Sequence, residues 1–227
     1  MIAAVLFDMD DTLYPEASYV RSGFRAVGRA LAERGLADAA EAADVFIGIH
    51  FGEGRDRVFN KAAERIGFPE ELVPTLVATY RDHEPEPLDF YDDVVDVLAA
   101  LRPRYRLGVV TDGWLNVQGA KARALGVADH VDHVFLADQL GRARWKPHPE
   151  PFHRCLEALG APDPAQAVFV GDNPERDVVG ARNAGMHPVR IVRGDAYFGG
   201  ADDADAAPVI TSLTELPALL DTLESSS

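Results

Sequence analysis

Short, almost wholly apolar runs alternate along this chain with longer stretches whose apolar residues return every three or four positions. The short runs, at residues 2–7, 105–111, 133–137, 167–170 and 188–192, predict strands buried on both faces. The longer patterns, at about 114–125, 150–159 and 175–184, predict helices. Strand and helix in alternation imply an α/β fold with a doubly wound parallel sheet and right-handed crossovers. A last short strand and helix are expected at 209–210 and 213–220.

The first crossover breaks this rhythm. From Tyr14 to Leu88, 75 residues, no strand pattern occurs. Helical patterns fill the gap at about 18–34, 39–51, 55–66 and 69–83, although one crossover helix at 91–101 would have reached the next strand. The surplus predicts a helical domain, residues 15–88, inserted into an α/β core made of residues 1–14 and 89–227. Pro15 and the stiff run Glu84-Pro85-Glu86-Pro87 mark its two ends. Residues 194–207, rich in Gly, Asp and Ala, predict a surface loop, and 225–227 a loose tail.

Composition narrows the function. Apolar residues make up 47% of 227, enough for a real core. A formal net charge of -15 disfavours binding to nucleic acid or to an anionic membrane surface. Cys155 is the only cysteine, so an intrachain disulfide and a Cys-rich zinc site are both excluded. With no apolar stretch of membrane-spanning length, the expectation is a soluble cytoplasmic protein. Among the 22 basic residues only Lys61, Lys121 and Lys146 are lysines, which raises the question of where a compact ammonium is needed.

Four polar clusters follow predicted strand ends, where open parallel sheets place their chemistry. They are Asp8-Met9-Asp10-Asp11-Thr12, Thr111-Asp112-Gly113, Lys146-Pro147, and Gly171-Asp172-Asn173-Pro174-Glu175-Arg176-Asp177. Singly, each has an ordinary reading. Thr111, Asp112, Asp172 and Asp177 could cap helices, and Lys146 could be a solvated lysine. Crowded carboxylates repel one another, so a cation is the simplest compensation.

Taken together and in order, the clusters resemble the haloacid dehalogenase (HAD) superfamily, which consists mostly of phosphatases. Asp8, Asp10 and Thr12 match its hydrophobic-Asp-x-Asp-x-Thr motif. Thr111 matches its second motif, Lys146 its third, and Asp172 with Asp177 its acidic fourth. The resemblance implies a Rossmann-like core and makes the helical insert a C1-type cap. It implies that Asp8 is the nucleophile forming an aspartyl phosphate, and that Asp10 is general acid and then general base. An acid needs a raised pKa, and neighbouring Asp8 and Asp11 are expected to push Asp10 that way. Thr111, the main-chain N–H of residue 112 and Lys146 would hold the phosphoryl group. Magnesium suits the hard oxygen donors: Asp8, the Asp10 carbonyl and Asp172 directly, Asp177 through water.

One position departs from the pattern: many relatives have Asn where this chain has Asp112, and a carboxylate there must turn away or be neutralised. Arg55 and Arg57, in a Gly-flanked turn of the insert, are candidate substrate contacts. Trp114 could line a pocket or pack in the core. The seven histidines show no metal-ligand spacing. The expected activity is a magnesium-dependent phosphomonoesterase acting on a small phosphorylated metabolite, of the nucleoside monophosphate or sugar phosphate class. The alternatives are a 2-haloacid dehalogenase or phosphomutase of the same superfamily, or a phospho-signalling receiver-like binding protein.

Overall fold

In the computed structural model, residues 1–161, 163–194 and 207–225 are described. Six parallel strands form one sheet: β1 (Ala4–Phe7), β2 (Arg106–Thr111), β3 (His133–Leu136), β4 (Ala167–Gly171), β5 (His187–Ile191) and β6 (Val209–Ile210). Their spatial order is β3-β2-β1-β4-β5-β6. The strand made first therefore lies inside the sheet. Val5 pairs with Leu107 of β2 on one side and Val168 of β4 on the other. All four residues of β1 and all five of β4 are buried, as apolar runs covered on both faces must be.

The helix α7 (Glu150–Ala158) packs Phe152, Cys155 and Leu156 against Ala4, Leu6, Val110 and Phe169. Its approach is close because β2 carries Gly108 there. A Cβ at that position would lie 2.8 Å from Cys155 Sγ and 3.0 Å from Leu159. The lone cysteine is thus a buried packing residue, and burial pushes its thiol up to about 12. This part of the chain also holds helices α5 (Val94–Leu101), α6 (Leu115–Leu125), α8 (Gly180–Asn183) and α9 (Leu216–Ser225).

The chain divides into two compact units, Met1–Glu16 with Asp89–Ser227, and Ala17–Leu88. The second holds α1 (Glu16–Ala32) almost entirely, with α2 (Ala39–Gly52), α3 (Val58–Ile66) and α4 (Val73–Asp82). Its core is aromatic: Phe24 stacks on Phe46 at 5.4 Å and meets Tyr80 at 4.9 Å. Asp38 caps α2, accepting from the N–H groups of Ala40 and Glu41. The Glu84–Pro87 run is tied down locally. Glu86 N–H donates to Ser22 Oγ at 2.9 Å, and its carboxylate receives Arg25 Nε at 2.9 Å.

Several helix starts differ from the sequence expectation for local reasons. Arg57 adopts a left-handed backbone (φ 52), so α3 begins at Val58 rather than near 55. Residues 70–72 form a 3₁₀ turn before α4. The helix expected at 175–184 opens as a π-helical turn, Pro174–Val179, and only then becomes α8. The expected loop at 194–207 falls, for 195–206, outside the described residues, as do 226 and 227 of the expected tail; Ser225 ends α9. Among the described residues, no helix is long and apolar enough to cross a membrane.

Candidate active site

Asp8 continues β1: its N–H still donates to Val170 O at 2.8 Å. The chain then turns at once. The N–H groups of Thr12 and Leu13 return to Met9 O, at 3.4 and 3.0 Å. Asp11 takes a left-handed backbone (φ 53), and its carboxylate accepts the Glu16 N–H at 2.9 Å. Asp11 is thereby committed to the loop and to the start of α1.

Lys146 reaches the same place from the loop after β3, and only 5% of it is exposed. Its Nζ donates to Asp8 Oδ1 at 2.6 Å, Asp177 Oδ1 at 2.7 Å and Val110 O at 3.2 Å. The solvated-lysine reading is excluded. Burial lowers the pKa of this ammonium, but Asp177, Asp8 and Asp112 outweigh that and raise it. The Lys146–Pro147 peptide bond is cis.

Asp112 Oδ1 accepts the Lys146 backbone N–H at 3.0 Å. Its Oδ2 lies 3.9 Å from Arg176. Burial raises the Asp112 carboxyl pKa, while the charge and N–H of Lys146 oppose the rise. The carboxylate that departs from the family pattern therefore holds the lysine loop. Neither Thr111 nor Asp112 caps α6, whose N-cap position is Trp114 with no side-chain cap bond. Thr111 Oγ1 is buried with no hydrogen-bond partner among the described residues.

On the fourth cluster the cap is Asn173, which accepts from the N–H groups of Glu175 and Arg176. Asp172 and Asp177 are thus available for other work. Asp177 Oδ2 accepts the Asn173 N–H at 2.9 Å, while its Oδ1 meets Lys146. Gly171 permits this, since a Cβ there would fall 2.6 Å from Asp177 Cβ and closer still to its carboxylate. Asp8, Asp172 and Asp177 each offer an oxygen within 4.8 Å of the others, and all three are buried. Burial, then Asp177, Asp8 and Asp11, push the Asp172 carboxyl up to about 9, with Lys146 opposing. Burial likewise holds Asp8 well above the usual carboxylate range, against Lys146 and with Asp177 and Asp10. Three buried hard oxygen donors with surplus negative charge fit a small divalent cation.

Asp10 corrects the sequence expectation. Its carboxyl was expected to be raised by neighbouring carboxylates. Burial does push it up, but the Lys121 ammonium, with hydrogen bonds from Lys121, Tyr14 and Gln118, holds it below the usual range. None of those three residues was a candidate from sequence. The signal that could have found Lys121 was the scarcity of lysine: two of the three lysines are buried against motif carboxylates.

Arg55 and Arg57 belong to the helical unit. There, with Phe24, His50, Phe59 and Tyr80, they line a cavity of about 290 Å³. Trp114 is 42% exposed, so core packing is not its role; it meets Trp145 edge-on at 6.3 Å.

The sequence profile of the haloacid dehalogenase-like hydrolases matches residues 2–185. The chain belongs to this family. A glyceraldehyde 3-phosphate phosphatase of Methanopyrus kandleri is 36% identical to this HAD-like hydrolase over 202 residues, 86% of this chain and 85% of the relative. A HAD phosphatase from Thermococcus onnurineus shares the fold with a TM-score of 0.66 at 29% identity, covering 96% of this chain and 98% of that one. A 2-haloacid dehalogenase from Pseudomonas syringae pv. Tomato does so with a TM-score of 0.67 at 29% identity, covering 98% and 99%. Within the family this hydrolase is a phosphatase, as its relatives in sequence are named. Membership sets aside the receiver-like reading.

Proposed function

We propose that the protein is a magnesium-dependent phosphomonoesterase that hydrolyses a small phosphorylated metabolite through an aspartyl phosphate at Asp8. The observation that carries this reading is the buried set of Asp8, Asp172 and Asp177 around Lys146. The Thr111 hydroxyl, at the end of the neighbouring strand and without a hydrogen-bond partner among the described residues, supports it. Asp8 attacks phosphorus, and the bond from phosphorus to the leaving alkoxide breaks. Thr111 and the N–H of Asp112 hold the phosphoryl oxygens, and Lys146 offsets their charge and that of Asp8. Asp10 gives a proton to the alkoxide. In the second step it takes one from the water that opens the aspartyl phosphate. Its hydrogen bonds favour the carboxylate, the form this second step needs, so for the first step Asp10 must take up a proton against them. Asp8, Asp172 and the Asp10 carbonyl, with Asp177 through water, would hold magnesium, which would supply positive charge against the phosphoryl oxygens.

The helical insert, residues 15–88, serves as the family's cap, and Arg55 and Arg57 contribute to substrate choice. Relatives named for glyceraldehyde 3-phosphate support a small sugar phosphate as substrate. The test is phosphate release from a panel of sugar phosphates, nucleoside monophosphates and 2-haloacids, with magnesium or EDTA. Wild type should release phosphate only with magnesium and rank small sugar phosphates first. Asp8→Asn should be folded by circular dichroism and inactive, and Arg55→Ala with Arg57→Ala should reorder the ranking. Turnover by folded Asp8→Asn, or halide release without metal, overturns the reading.

A further inference from the structure

The Asp10 carboxylate is held by three residues outside the four motif clusters. Tyr14 Oη donates to Oδ1 at 2.5 Å. Lys121 Nζ spans both oxygens, at 2.8 and 2.9 Å. Gln118 Nε2 donates to Oδ2 at 2.9 Å and also to the Asp112 carbonyl. Gln118 and Lys121 lie three residues apart on α6, so one helix face carries both. Tyr14 is fully buried, and 3% of Lys121 is exposed.

We propose that Lys121, with Gln118 and Tyr14, is a positioning residue for acid–base catalysis, fixing the plane and reach of the Asp10 carboxylate. The proposal rests on the phosphatase reading above, in which Asp10 moves the protons. Neutralising one charge needs one cation at any angle. Here a carboxylate with about four acceptor sites receives four donor contacts from three directions, which saturates it. To touch a leaving oxygen or a water, Asp10 must release one of them. Gln118 is the donor that can yield, because its amide is already shared with the Asp112 carbonyl. Lys121 and Tyr14 then remain as the anchor on Oδ1. The same shared amide ties Asp10 to the loop whose N–H groups face the phosphoryl site in the proposed mechanism.

A residue acting through Asp10 should share its leaving-group dependence and lose its effect when Asp10 is disabled. The test is a double-mutant cycle in the full-length protein with magnesium, using Lys121→Met and Asp10→Asn. Each variant is assayed on an alkyl phosphate and on p-nitrophenyl phosphate, with thermal unfolding as the folding control. Acid–base catalysis supplies about 10²–10⁴-fold, and loss of alignment should forfeit about 10–100-fold of it in kcat on the alkyl ester, with KM little changed. The loss on p-nitrophenyl phosphate should be several times smaller. Lys121→Met should add less than about threefold in the Asp10→Asn background. Lys121→Arg, which keeps a cation within reach, should recover part of the rate. Equal losses with both esters, full multiplication of the two effects, or a change in KM alone would overturn the proposal. Tyr14→Phe and Gln118→Leu, run through the same cycle, decide the matter where Lys121→Met does not fold. Absence of phosphate release by wild type would overturn the phosphatase reading itself, a different result from a failed cycle.

Discussion

Replacing Lys146 with Met tests whether the carboxylate cluster depends on one internal cation. The side chains are of similar length, so the change removes charge with little change in volume. Lys146 Nζ lies 2.6 Å from Asp8 and 2.7 Å from Asp177. At an effective dielectric of about 20, each contact is worth roughly 6 kcal/mol before desolvation. Returning the ammonium to water recovers several kcal/mol, and the orphaned carboxylates relieve themselves by taking up protons. The net loss should be about 3–5 kcal/mol, the usual cost of breaking a buried pair on one side. For a chain of this size that lowers Tm by about 6–20 °C. The assay is thermal unfolding of wild type and variant in EDTA and in millimolar magnesium. A divalent cation among Asp8, Asp172 and Asp177 replaces part of the missing charge, so magnesium should raise the variant's Tm more than the wild type's. An unchanged Tm in EDTA, or equal magnesium gains in both proteins, would refute the reasoning.

Gly171→Ala should disturb Asp177, because the added Cβ meets that carboxylate. A rise of about tenfold or more in the magnesium needed for half-maximal activity, measured by titration, is the expected result. Asp93 Oδ2 gathers Arg193 Nη1 at 2.8 Å, Ser212 Oγ at 2.7 Å and the Leu213 N–H at 2.7 Å. Asp93→Ala should cost about 2–4 kcal/mol at pH 7 in urea unfolding. Burial raises the Asp93 carboxyl, but the Arg193 and Ser212 bonds, with the Leu213 N–H, outweigh it and hold it below 3.8. Its electrostatic contribution is therefore complete above about pH 4 and is lost as pH falls through the lowered folded value, so the gap between wild type and variant should narrow only in acid.

The strands were legible because a parallel sheet covered on both faces requires unbroken apolar runs, and 4–7, 107–110 and 167–171 have them. The surplus of helical pattern between residues 14 and 88 was legible for a similar reason, since a single crossover needs one helix. The motif carboxylates stood out because they follow strand ends. Lys121 did not, because its partner Asp10 is 111 residues away and helical spacing says nothing about a contact across the fold. Counting only charges adjacent in sequence also gave the wrong direction for Asp10, whose spatial neighbours include a cation and two neutral donors. The π-helical turn at Pro174–Val179 was illegible too. It depends on Asn173 O accepting from both Asp177 and Val178, a competition that residue periodicity does not record.

The placement of β1 inside the sheet has a consequence for how the chain is born. Asp8 is made well before its buried ammonium partner, which comes 138 residues later. At about 5–20 residues per second, the interval is roughly 7–30 s. For most of it the strand Ala4–Phe7 has no permanent neighbour, until Arg106–Thr111 emerges, and its second edge stays open beyond it, until Ala167–Gly171 follows. An apolar strand with two unpaired edges is a template for unwanted association. This apolar strand is thus made before either of its neighbours and shielded late, while the helices of Ala17–Leu88, a compact unit of their own, can form in the meantime.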